Sequence, residues 1–205
     1  MTTPPDRRDT LPDFDAPGEW QPGAEGSLRA FRKDLDVHGH DWRNLALWHM
    51  AVYRFGNWSL SRRSRVARRL TSKVYGVVAP LSSWFTGVYM DRCTRIGEGL
   101  HLVHARGQIT IHPDCVLGDR VGIMHNVTIG SDQREDGVPT IGDDVFIGAG
   151  AVIAGHIRIG NNVTIGANSL VVRDVPDNSV AVGVPAVVRP KRGYGAASEH
   201  ARKER

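Results

Sequence analysis

Residues 111–188 repeat in sixes, and nothing else in the chain restricts its fold as much. An aliphatic residue opens nearly every hexad: Ile111, Leu117, Ile123, Ile129, Ile141, Ile147, Ile153, Ile159, Ile165 and Val171. Glycine follows the opener at Gly118, Gly130, Gly142, Gly148, Gly160 and Gly166, and the fifth place is small or β-branched at Val121, Val127, Val145, Ala151, Val163 and Ser169. A helix repeats near 3.6 residues and a strand near 2, so neither sustains a period of six. A parallel β-helix does. Each hexad supplies one short strand and one corner, and three hexads close a triangular coil. Coils stack at roughly 4.8 Å, so the openers pile into one apolar column per face. The glycine is expected to let the chain turn its corner without a Cβ clash. One hexad, EDGVPT at 135–140, keeps the count and lacks the aliphatic opener. Residues 131–139 are therefore expected to leave the coil as a polar loop.

The repeat begins upstream. Ile96 and Leu102 open IGEGLH and LVHARG, after which three extra residues, 108–110, break the register before Ile111. A break in a regular solenoid is a place where something other than packing is accommodated. Its neighbour is His104.

Around this domain, placed at 91–189, the chain changes character. Residues 1–26 are rich in Pro, Asp and Gly and read as a disordered arm. The opening MTTPPDRRDT has no apolar stretch of the secretory type. Residues 27–90 read as an α-helical module. Ser27 is placed to cap a helix to about Val37, and Asp41 to cap a second through about Leu60. The second carries Leu45, Leu47, Trp48, Ala51, Val52, Phe55 and Trp58 at three-to-four spacing, a face for another helix or subunit. A cluster of Arg62, Arg63, Arg65, Arg68 and Arg69 precedes the uncharged VYGVVAPLSSWFTGVYM at 74–90. That stretch is at the short limit for a membrane span and is interrupted by Pro80, Ser82, Ser83 and Thr86. A helix leading into the repeat is expected there, and peripheral membrane contact through the arginines is not. Pro176, Pro185 and Pro190 end the coil, and 190–205 reads as a mobile basic tail.

The net charge of +4 fits a basic tail or a site for an anionic ligand, and no aromatic-basic motif points to nucleic acid. Two cysteines, Cys93 and Cys115, make no disulfide framework and suit a reducing, cytoplasmic compartment.

Three stretches carry a family resemblance. IGANSLVVRDVPDNSVAVGVPAVV (165–188) resembles the C-terminal signature of hexapeptide-repeat acyltransferases. IGEGLHLVHARG (96–107), VGIMHNVTIG (121–130) and VPTIGDDVFIGAGAVIAGHIRIG (138–160) are similar to the serine O-acetyltransferase branch, as is YRFGNW (53–58) in the helical module. The resemblance spans roughly 41–188. It implies a left-handed β-helix, acetyl-CoA as co-substrate, no metal, a role in cysteine biosynthesis, and homotrimers with sites between neighbouring subunits. Paired trimers joined through the N-terminal helices are a further implication. It places a general base at His104, with Asp91 or Tyr89 orienting the imidazole. Gly130, Ser131, Ala149 and Ala167 match places where relatives hold coenzyme A, and Arg173, Arg189 and Lys191 are basic groups available to its phosphates. His125, Arg134 and Asp136 are candidates for the acceptor. Three places depart from the branch. Val103 and Tyr89 stand where it carries acids, and Gly137-Val138 stands where it carries Arg-His.

The chemistry asks for such a base. A neutral alcohol is a poor nucleophile, and an imidazole that takes its proton contributes about 10²–10⁴ in rate. Backbone N–H groups at a glycine-rich corner suit the developing oxyanion. No acyl-enzyme is needed, so neither cysteine has an assigned role. Serine or a serine-like amino acid leads as acceptor, with a sugar hydroxyl and an amine open. Two other classes also stay open: a non-catalytic β-helix scaffold, and a zinc-dependent carbonic anhydrase of β-helix type, for which His101 and His104 have the wrong spacing.

Overall fold

The computed structural model describes residues 24–103, 107–132 and 137–191. Three helices come first: α1 (Ala24–Val37), α2 (Leu45–Leu60) and α3 (Arg65–Thr86). Asn44 caps α2, accepting the Ala46 N–H at 3.0 Å, so the cap lies three residues after the expected Asp41. Asp41 instead accepts the Arg43 N–H in the turn before it. Ser64 opens α3, and Gly87, left-handed at φ 74°, closes it with its N–H on the Ser83 carbonyl.

Fifteen short strands follow: β1 (Val88–Met90), β2 (Arg95–Ile96), β3 (His101–Leu102), β4 (Ile109–Ile111), β5 (Val116–Leu117), β6 (Gly122–Ile123), β7 (Val127–Gly130), β8 (Thr140–Ile141), β9 (Phe146–Ile147), β10 (Val152–Ala154), β11 (Arg158–Ile159), β12 (Thr164–Ile165), β13 (Leu170–Val171), β14 (Ser179–Gly183) and β15 (Ala186–Pro190). They form three walls, β1-β4-β7-β10-β13, β2-β5-β8-β11 and β3-β6-β9-β12-β14-β15. Every pairing is parallel except the closing hairpin β14–β15. This is the parallel β-helix that the hexads specify, in its left-handed form. It starts at β1, ahead of Ile96, because Val88, Tyr89 and Met90 pair with Ile109, Thr110 and Ile111.

The openers stack as expected. Ile96, Leu117, Ile141 and Ile159 are successive partners on one wall, and all are buried. The coil from Ile141 to Ile159 takes 18 residues (159 − 141), whereas the coil from Leu117 to Ile141 takes 24 (141 − 117). The six extra residues fall between β7 and β8, where the loop was expected. Fifth-place residues Val121, Val127, Val145, Ala151, Val163 and Ser169 are also buried, so two of every six side chains fill the prism.

The glycines serve a different end from the one expected. A Cβ on Gly118 would lie 2.7 Å from the carbonyl carbon of Gly142, and one on Gly142 would lie 3.0 Å from that of Gly160. Their conformation is ordinary, so close stacking of coils is what excludes a side chain. The left-handed turn falls two residues later, on Arg120, Asp144, Asn162 and Asn178, with φ of 53–56°.

The helices close the open end of the first coil. Tyr53 donates to the Thr94 carbonyl at 2.7 Å, and Asn57 donates to the Arg92 carbonyl at 2.6 Å. Arg54 donates to the Ile96 carbonyl at 3.0 Å, and Asp34 accepts the Leu100 N–H at 3.0 Å. Arg54 and Asp34 pair at 2.8 Å with almost no exposure. Burial raises the Asp34 carboxyl above its usual range against the pull of Arg54. Side chains thus occupy the backbone groups that a further coil would have taken. That is the physical content of YRFGNW.

Candidate active site

The triangular coil has three edges. The first follows the β3-β6-β9-β12 wall and comprises 103, 107–108, 124–126, 148–151 and 166–169. The second follows the β1-β4-β7-β10-β13 wall and comprises 91–94, 112–115, 131–132, 137–139, 155–157 and 172–174. The third follows the β2-β5-β8-β11 wall.

His104 belongs to the first edge by sequence, and with Ala105 and Arg106 it lies outside the described residues. Both of its anchors are described. Val103 donates its N–H to the Ile123 carbonyl at 3.0 Å. Gly107, at φ 136°, passes directly over His125, where a Cβ would come within 2.3 Å of the His125 Cβ. Gln108 donates its N–H to Asn126 Oδ1 at 3.2 Å. From the helical side, His38 sets its ring nitrogens 2.7 and 3.3 Å from the carbonyl oxygens of Asp34 and Leu102, and its ring meets His101 edge-on at 5.0 Å. Strand β3, which leads toward His104, is therefore fixed on both sides.

The first edge also carries His125, half-buried, and then Ala149 and Ala167. The Gly150 N–H meets the His125 carbonyl at 3.0 Å and the Asn168 N–H meets the Ala149 carbonyl at 2.8 Å. Small side chains at both alanines leave backbone as the main surface of this edge. The structure thus aligns His125, Ala149 and Ala167 along the edge on which Val103 and Gly107 lie.

The remaining candidates divide between the other edges. Gly130, Ser131 and the exposed Arg173 lie on the second edge, across the β1-β4-β7-β10-β13 wall. Arg134 and Asp136 lie in the same loop, outside the described residues. The loop's return limb is described: Gly137, at φ 140°, crosses His156, and Val138 packs against the core. The Arg-His position of the branch is thus, in this chain, an apolar side chain turned inward. Lys191 sits on the third edge, its Nζ 2.8 Å from Asn162 Oδ1, and Arg189 pairs with Val180 on the closing hairpin. The structure does not bring these two to the first edge.

Tyr89 and Asp91 also separate. Gly87 lies against Gly107, with a would-be Cβ 3.2 Å from its carbonyl oxygen, so β1 starts at the first edge. Tyr89 is half exposed on the outer face of β1. Asp91 lies past the far end of the strand, roughly 10 Å along from Val88 at ordinary strand rise. Its Oδ1 accepts the Cys93 N–H at 2.7 Å. Within one chain Asp91 is not beside Val103 or Gly107, the described residues that flank His104.

Both thiols are held protonated. Burial pushes Cys115 up to about 12, and burial with Asp91 nearby raises Cys93. Among the described residues no three His, Cys, Asp or Glu side chains converge as a metal site.

Comparison with known proteins gives the arrangement its context. Residues 139–173 match the family described as bacterial transferase hexapeptide (six repeats). The serine acetyltransferase of Staphylococcus aureus is 34% identical over 178 residues, covering 85% of this chain and 75% of that protein. This chain belongs to the serine acetyltransferase family. The crystal structure of the Neisseria gonorrhoeae serine acetyltransferase superposes with a TM-score of 0.65 at 31% identity, covering 84% of this chain and 69% of that one. The Brucella abortus serine acetyltransferase in complex with coenzyme A gives 0.68 at 26% identity, covering 82% and 70%. The family member described here is accordingly an acetyl-CoA-dependent O-acyltransferase. The Asp34–Arg54 pair and the His38 contacts escaped the sequence reading. Only the YRFGNW resemblance pointed toward them, since one Asp in a charged helix carries no mark of burial.

Proposed function

We propose that this protein transfers the acetyl group of acetyl-CoA to the hydroxyl of serine, with His104 as general base. The observation that carries the proposal is that Val103 and Gly107, which flank His104 in sequence, are anchored to the coil of Ile123 and His125, on the edge that also carries Ala149 and Ala167, in a chain of the serine acetyltransferase family. A serine acetyltransferase related to this chain at 33% identity, with a TM-score of 0.63 and coverage of 78% of this chain and 68% of that one, is known in complex with serine. The imidazole of His104 takes the hydroxyl proton as the oxygen attacks the thioester carbonyl. It then returns that proton to the departing sulfur, so no enzyme thiol takes part. In this reading a backbone N–H of the glycine-rich first edge serves as the oxyanion donor. Tyr89, on the face reached from that edge, is the orienting group within the chain.

The fit to acetyl-CoA rests on the first edge, where Ala149 and Ala167 keep the backbone open to an extended pantetheine. Arg173 is the basic residue on the second edge able to meet phosphate. One chain cannot bring these two edges together. A homotrimer does, by setting the second edge of one subunit against the first edge of the next. The trimer is therefore part of the proposal, and it brings the second edge of the neighbouring subunit to the site.

The test is acetyl-CoA turnover, read by free-thiol release, against serine, homoserine and a panel of sugars. Rapid turnover with serine is the expected result. Turnover with another acceptor alone overturns serine and assigns the inward Val138 to a changed specificity. Coenzyme A at 100 times its dissociation constant should add about 2.7 kcal/mol of apparent stability. No thermal shift together with no turnover overturns the enzyme reading in favour of a scaffold.

A further inference from the structure

A surface helix ordinarily turns its apolar stripe to the core. The helix α3 does the opposite. Its inward face is Tyr75, Thr86 and small residues, with Ser82 bonded to His49 of α2 at 3.0 Å and Tyr75 filling the space above Gly56. Its outward face is Val66, Leu70, Val74, Val77, Leu81 and Trp84, spaced by threes and fours, with Phe85 alongside. Val66 and Trp84, at the two ends of the stripe, are 76% and 75% exposed. Arg65, Arg69 and Lys73, four residues apart, form an exposed basic row on one flank. No Asp or Glu occurs between Asp41 and Asp91.

We propose that α3 is a peripheral docking helix for an anionic lipid bilayer, lying in the interface with its outward stripe among the acyl chains and its basic row on the headgroups. Charge decides the occupant. A second copy of this face would set one acid-free, arginine-rich surface against another. An anionic membrane supplies both the negative charge and the apolar phase. The aromatic pair Trp84–Phe85, with ring centroids 4.9 Å apart, ends the stripe with the side chains that favour a membrane interface. No described helix is long and apolar enough to cross a membrane, so the helix lies on the surface. This departs from the expectation drawn from sequence, where the same residues read as a helix leading into the repeat and peripheral membrane contact was not expected. The structure turns the stripe away from the protein. The inference does not depend on the acceptor.

The experiment is co-sedimentation of the full chain with vesicles of phosphatidylglycerol and phosphatidylcholine, and with phosphatidylcholine alone. Binding to the anionic vesicles, weakened by high salt, is expected. Replacing Arg65, Arg69 and Lys73 by Gln should weaken partitioning about fivefold per charge, hence roughly a hundredfold. The pair Leu81→Glu and Trp84→Glu should abolish it while the melting temperature stays unchanged, since both side chains are exposed. Three results overturn the proposal: no binding to anionic vesicles at low salt, equal binding to neutral ones, or dissociation of a larger assembly by Leu81→Glu/Trp84→Glu in light scattering. The last would give the stripe to a second copy of the chain.

Discussion

The first and third edges of the β-helix obey the same hexad grammar and spend it differently. On the third edge, polar side chains satisfy one another from coil to coil. The Glu98 N–H meets Asp119 Oδ1, the Asp119 N–H meets Asp143 Oδ1, and the Asp143 N–H meets Asn161 Oδ1, each at 2.8 Å. Arg120 and Asp144 add an ion pair at 2.7 Å, and Asn162 donates to Asn178 at 2.7 Å. Little on this edge is left for a ligand. The first edge has the same left-handed corners, at Asn126, Gly150 and Asn168, yet carries alanines, a half-buried histidine and the three-residue break. Regularity marks the edge that holds the fold together. Interruption and small side chains mark the edge on which the proposed site lies.

The comparison breaks most sharply at His104. His104→Ala should lower kcat by about 10²–10⁴ while leaving coenzyme A affinity and the melting temperature nearly unchanged. Steady-state kinetics with a melting curve checks both halves. Wild-type activity in the variant would remove His104 from the chemistry and, with it, the functional reading of the first edge.

A change that touches neither edge sharpens the contrast. His49 lies buried between α2 and α3, and burial lowers its pKa to about 4 from 6.5. As pH falls below 6.5 the unfolded chain takes up a proton at His49 that the folded chain refuses. Stability present above 6.5 is therefore lost progressively down to about pH 4, on the order of 3 kcal/mol for this group. Denaturant melts between pH 7.5 and 4.5 should show the loss, and His49→Gln should flatten that part of the profile. If the helical cap and the coils melt together, the first edge loses activity only when the third edge melts.

The fold was legible because its rule is local: an opener, a glycine and a small fifth residue suffice to specify each corner, and Ile141 does the same work as Ile159. The extruded loop was legible for the same reason, as the one hexad with no opener. The edges were not. Whether Gly130 and Ala149 share an edge depends on counting corners around the coil, and the extra residues at 108–110 and in the loop shift that count. The cap was hidden because Asp34 and Arg54 are buried through each other and through backbone groups of a coil distant in sequence. The stripe on α3 was visible as residues, but its direction was set by Ser82 and Tyr75, which hold the opposite face against α2.

The third edge offers two smaller tests. Gly142→Ala puts a Cβ 2.5 Å from Asn161 Oδ1 and 3.0 Å from the Gly160 carbonyl carbon, so two coils must separate. Overpacking of this kind costs about 1–3 kcal/mol, read as a melting temperature lower by several degrees with kcat per folded molecule unchanged. Asp143→Ala should cost less, about 1–2 kcal/mol, by leaving the partly buried Asp119 N–H without its acceptor. Asp143→Asn keeps an oxygen in the same place and should restore most of that loss, which separates the hydrogen bond from the charge. A kcat that falls in step with stability at Asp143 would mean the third edge also serves the reaction. A kcat that holds would leave the two edges with separate tasks, one stacking the coils and the other meeting the substrate.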